Sequence, residues 1–129
     1  MINELRTAIK DWIESRCPNN TSVYYDYIPE YDSENVGISF IITGLEVVPT
    51  IDNSITLGNA SVQLYVNSRY RSDIDSAIDA LLDYNNIPSG SIIQHIFYDS
   101  FKDIEYEPSE NYYYASQLDL RMNFKIYNG

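Results

Sequence analysis

The chain has 129 residues, 44% of them hydrophobic, and a net charge of −11 from 19 acidic and eight basic side chains. That length and apolar content suit one domain, residues 1–129, built on one core, and exclude a disordered chain. The acidity argues against a protein that grips nucleic-acid backbones, which takes positive charge, and the single cysteine, Cys17, excludes an internal disulfide.

Residues 3–16 read as an amphipathic helix. Leu5, Ile9, Trp12, Ile13 and Arg16 fall near one stripe, and Asn3 is a candidate N-cap. Pro18 ends the helix by Cys17, because the residue before a proline avoids helical geometry. Charges throughout this segment argue against a signal peptide, and no stretch reaches the ~20 apolar residues of a membrane helix. The expected place of folding is therefore a cytoplasm. "SVYYDYIPEY" is a short β-prone run broken by Pro29, and "YDSENVG" is a polar loop. "ISFIITG" is a strand with Ile38, Phe40 and Ile42 on one face, ended or bent by Gly44. "LEVVPTIDNSITLG" gives two short extended pieces around a polar turn at Asp52-Asn53-Ser54. In "NASVQLYVNSR", Val62, Leu64 and Val66 alternate with Gln63, Tyr65 and Asn67, which marks a strand with one wet face.

A second helix spans 71–86, with Ile74, Ala77, Ile78, Leu81 and Leu82 as its apolar stripe. Ser72 and Asp75 have capping-box spacing at its start, and Pro88 follows its end. "SIIQHIFYDSF" and "KDIEYEPSE" read as two β pieces with a turn at Asp99-Ser100. In the last strand Leu118, Leu120, Met122, Phe124 and Ile126 alternate with Asp119, Arg121, Asn123, Lys125 and Tyr127. The expected fold is α+β: a mixed, mainly antiparallel sheet packed with an N-terminal and a mid-chain helix.

The catalytic inventory is thin. His95 is the single histidine and sits in an apolar run, where a half-buried structural role is expected. No nucleophile turn accompanies it. Asp75, Asp79 and Asp83 recur every four residues, which suits a solvated helix face better than a metal site. The five glycines are scattered, so no phosphate-cradling loop is present. No enzyme, cofactor or metal is expected. Thirteen tyrosines against one Trp and four Phe are the unusual feature. Tyrosine gives contact area with a polar tip and is enriched at interfaces.

Three segments carry a resemblance: the amphipathic N-terminal helix before a Tyr-rich strand; "SVQLYVNSRYRSDIDSAIDALLDYNN"; and the ending "YEPSENYYYASQLDLRMNFKIYNG". As a pattern of segments over nearly the whole chain, the sequence resembles the small tail-terminator (tail-completion or minor capsid) proteins of long-tailed bacteriophages. The resemblance implies a cofactor-free virion protein at the neck, on top of the tail. Proteins of that family form rings, commonly hexameric, that cap the tail tube, stop its polymerisation and join tail to head while DNA passes through the lumen. The implied partners are further copies of the chain, the tail-tube protein and other head-tail connector proteins. Candidate contact residues are Tyr24, Tyr25, Tyr27, Tyr112, Tyr113, Tyr114, Arg121 and Lys125; Asp73, Asp75, Asp79 and Asp83 are a candidate acidic lumen face. The competing readings are another head-tail connector (a head-completion or stopper protein), an acidic DNA-mimic inhibitor, and a carboxylate-metal enzyme.

Overall fold

The two stretches of strictest period-two alternation become two of the three inner strands of one five-stranded sheet. They are β3 (Ile55–Ser68) and β5 (Tyr114–Tyr127), paired antiparallel from Ile55 opposite Tyr127 to Ser68 opposite Tyr114. The structure, a computed structural model, describes residues 1–17, 21–26, 36–83, 87–104 and 114–127. β2 (Val36–Pro49) lies antiparallel on the outer side of β3, and β4 (Ile93–Ile104) antiparallel on the outer side of β5. The short β1 (Thr21–Tyr25) joins β2 in parallel, giving the order β1-β2-β3-β5-β4. Two helices complete an α+β fold: α1 (Ile2–Arg16) and α2 (Arg71–Leu82).

One face of the sheet is apolar and one is wet. Ile38, Phe40, Val62, Leu64, Val66, Leu118, Leu120, Met122, Phe124 and Ile126 join Leu5, Ile9, Trp12, Ile13 of α1 and Ile74, Ala77, Ile78, Leu81 of α2 in one buried cluster. α1 contacts β1 and β4, and α2 lies against β2, β3 and β5, so the helix layer spans the sheet. Burial of ten strand and eight helix side chains at ~1.5–3 kcal/mol each is the dominant favourable term.

Several local expectations are corrected. α1 begins at Ile2 with Met1 as N-cap, so Asn3 sits inside the first turn. α2 begins after Tyr70 with no side-chain cap, so Ser72 and Asp75 form no capping box. Leu82, at the last position of α2, is exposed. The pieces around Asp52-Asn53-Ser54 are not separate short strands. They are the ends of β2 and β3, joined by a tight tip in which Asp52 Oδ1 accepts from Thr50 Oγ1, Ser54 N and Ser54 Oγ, and Asn53 takes a left-handed φ of 58°. Asp99-Ser100 is no turn. It is a bulge inside the continuous β4, with the register shifting between Tyr98 and Ser100, so among the described residues two strands follow α2, and residues 105–110 of the expected "KDIEYEPSE" piece lie outside them. His95 is exposed on β4, not half-buried.

Candidate assembly surface

The open sheet face is assembled by the alternate residues that the core does not take. Successive pairs place Ser39, Tyr65, Gln117 and Lys102 in one row and Ile41, Gln63, Asp119 and Ser100 in the next. Below them run Ser61, Arg121 and Phe97, and then Glu46, Asn59, Asn123 and His95. Hydrogen bonds knit these rows. Tyr65 donates its hydroxyl to Gln63 at 2.6 Å, and Ser100 Oγ and Gln117 Nε2 donate to Asp119 at 2.8 and 3.1 Å. Burial pushes the Asp119 carboxyl up, but the hydrogen bonds from Ser100, Gln117 and Gln63, and then the Lys102 ammonium, hold it below its usual value. Arg121 Nε donates to both carboxylate oxygens of Asp99, at 3.0 and 3.2 Å, and its guanidinium stands 5.7 Å from the centre of the Phe97 ring. Lys125 Nζ lies 5.0 Å from the centre of the Tyr127 ring.

This face is nearly neutral. Lys102, Arg121 and Lys125 stand among Glu46, Asp99 and Asp119. The helix layer is acidic: Glu4, Asp11, Glu14, Asp73, Asp75, Asp79 and Asp83 outnumber Arg6, Lys10, Arg16 and Arg71. Exposed apolar side chains gather on the open face and at the β2-β3 end. They include Phe97, Leu57, Val48, Val47, Ile51 and Tyr127. A shallow cleft of about 700 Å³ crosses the face between Leu45, Glu46, Asn59, Phe97 and Arg121.

The sequence-derived candidates divide. Arg121 and Lys125 lie on the open face of β5, with Tyr24 on the same face of β1 through its pairing with Ser39. Tyr25 points the other way. Its ring meets Phe40 edge-on at 5.4 Å between centroids, and its hydroxyl accepts from Arg6 Nη2 at 2.9 Å, so it pins β1 to α1. Tyr114 lies 4.9 Å under the Arg71 guanidinium, at the start of α2. Among the described residues Tyr24, Tyr25 and Tyr114 thus have separate surroundings, and Tyr27, Tyr112 and Tyr113 lie outside the described residues. Asp73, Asp75 and Asp79 are exposed on α2, while Asp83 accepts from Arg16 Nη2 at 3.0 Å and ties the two helix ends. Sequence reasoning missed the apolar end formed by Val47, Val48, Ile51 and Leu57. In sequence these residues lie on either side of the Asp52-Asn53-Ser54 turn, and it is the pairing of Val48 with Leu57 that brings them together.

Among the described residues no three His, Cys, Asp or Glu side chains converge as a metal site, and no helix is long and apolar enough to cross a membrane. Cys17 caps α1, and burial raises its thiol pKa to about 11, against the lowering effect of Arg16. A thiol so protonated is a poor nucleophile.

The fold class is thus a two-layer α+β sheet with an acidic helical layer and an open amphipathic face. No protein-family model matches the chain, and no curated protein is significantly similar to it. Among solved structures, the chain is similar to a chain from "Virion of native gene transfer agent (GTA) particle", with 13% identity and a TM-score of 0.49 over 80% of this chain and 78% of that one.

Proposed function

We propose that this chain is a structural assembly protein of a long-tailed phage: a tail terminator that forms a ring, hexameric as in the family it resembles, on the end of the tail tube. It works by its surfaces, without catalysis or cofactor. The observation that carries this reading is the separation of the two layers. The near-neutral open face, with its exposed Phe97, Leu57, Val48 and Tyr127, suits protein contact. The acidic helical layer, with Asp73, Asp75 and Asp79 exposed, suits a wall past which DNA slides without adhering.

The test is light scattering on the purified chain over a concentration series, with and without its tail-tube protein, together with tube lengths by electron microscopy. A ring, alone or on the tube, and shortened, capped tubes are expected. A strict monomer that leaves tube growth unchanged overturns the proposal. Tight competition with DNA for a DNA-binding protein would move the assignment to a charge-mimicking inhibitor.

A further inference from the structure

We infer that neighbouring copies join edge to edge, with Ser100–Ile104 of β4 in one copy pairing antiparallel to Gly44–Val48 of β2 in the next. The inference rests on the ring reading and names the contact that builds the ring.

The first observation is an open edge. β1 covers the outer side of β2 only from Val36 to Phe40. There Asp26 donates its N–H to Phe40 O at 3.0 Å and takes a left-handed φ of 82°. Among the described residues no strand lies beside the rest of β2. An uncovered row of N–H and C=O groups is a template for another strand, so natural edges are blunted by bulges, charges or proline. β2 has one bulge, where the register shifts between Ile42 and Gly44, and one charge, Glu46. Thr50 N donates to Ile55 O at 2.9 Å, so Thr50 faces β3, and Pro49 places its donor-less nitrogen on the outer side. The usable slot therefore runs from Gly44 to Val48.

The second observation is its counterpart. The outer edge of β4 is interrupted by bulges at Gln94 and Asp99, which leave a regular run from Ser100 to Ile104. The two runs have the same length. Their directions also agree. β2, β3, β5 and β4 alternate in direction, so β4 runs opposite to β2. A copy rotated about an axis along the strands presents its β4 antiparallel to β2, with the helix layers on the same side. This is a heterologous contact of the kind that closes a ring.

The side chains select a register. With Glu46 opposite Lys102, two exposed, oppositely charged residues meet on the open face. Val47, 40% exposed, then faces Phe101, 48% exposed, on the helix side. Val48 meets Ser100, Gly44 meets Ile104, and Leu45 meets Asp103, whose carboxylate is already turned to Arg71. Lys102 is level with Tyr65 and Glu46 with Asn59, so adjacent copies are offset by the six residues between those positions on β3. That is about 20 Å along the strands at about 3.3 Å per residue, against about 19 Å across the four strands β2, β3, β5 and β4 that repeat from copy to copy. The resulting tilt is about 45°, at the upper end of the roughly 35–45° of closed barrels.

The experiment replaces Glu46→Cys and Lys102→Cys together in a Cys17→Ser background and oxidises the assembled protein mildly. A covalent ladder ending at the ring size is expected, absent from either single-cysteine variant. In parallel, Glu46→Lys or Lys102→Glu alone is expected to weaken association roughly three- to fivefold, and the double reversal to restore it. Rings seen by light scattering without the ladder and without a charge effect overturn the edge pairing and leave the ring reading standing. No assembly, alone or with tube protein, overturns both.

Discussion

At the scale of single residues, Gly58 shows how tightly the sheet is packed around one missing side chain. It pairs across β3-β5 with Phe124 and across β2-β3 with Val47. A Cβ built there would lie 2.3 Å from Phe124 Cζ and 2.6 Å from Glu46 O. The Phe124 ring thus lies over the glycine, and the backbone oxygen on the other side cannot give way cheaply. At Gly44 the nearest atoms are Ser61 Cβ and Oγ, both at 3.7 Å, an ordinary contact. Gly58→Ala is therefore expected to cost about 1–3 kcal/mol through displacement of Phe124, and Gly44→Ala to be nearly neutral. Urea denaturation of the two variants checks this, and equal midpoints would refute it. The contrast is invisible in sequence, where both glycines read as breaks near strand ends.

At the scale of elements, α2 starts without a side-chain cap, and a clamp stands in for one. Ser68 Oγ accepts from Tyr70 N at 3.2 Å just before the helix. Arg71 Nη1 then donates to Asp103 Oδ1 at 2.7 Å and to Ser116 Oγ at 3.3 Å, and Ser116 donates to the same carboxylate oxygen at 2.7 Å. A cation in the first turn opposes the helix dipole, so Arg71 is explained by what it holds: the end of β4 and the start of β5. Asp103→Ala is expected to cost at most about 1 kcal/mol, because the pair is half exposed, yet to speed hydrogen exchange at Asp73 and Ile74, whose N–H groups bond Tyr70 O. Unchanged exchange there would show that the clamp does not hold the helix start. Such a long-range tie explains why the capping spacing of Ser72 and Asp75 misled. Strands β3 and β5 and both helical stripes were legible, because burial on one face imposes a period on the sequence. The bulge at Asp99 was read as a turn because Asp-Ser favours both, and only pairing with β5 distinguishes them. The placement of Tyr25 and Tyr114 beside Arg6 and Arg71 was not legible, because both cations are remote in sequence.

At the scale of the whole molecule, charge and contact oppose each other. Each copy carries −11, so copies repel at long range. On the β2 side the proposed joint is sparse in charge: Glu46 is the one acidic residue from Val36 to Ile51, its partner across the joint is a lysine, and the acidic residue of the β4 run, Asp103, is paired with Arg71. Salt acts on the two terms differently. The Debye length falls from about 30 Å at 0.01 M to about 10 Å at 0.1 M, which removes most of the repulsion between distant helical carboxylates. A close Glu–Lys pair inside a strand-strand contact is screened less, and the apolar Val47–Phe101 contact is not weakened by salt. Self-association is therefore expected to strengthen as sodium chloride rises from about 0.01 to about 0.3 M, measured by sedimentation velocity at fixed protein concentration. The charge-reversed single variants, with like charges facing each other in the joint, should gain more from salt than the parent does. Association that weakens steadily with salt would mean that ion pairs, not backbone pairing and apolar contact, hold the copies together, and would place the joint on the charged helical layer instead of the sheet edges.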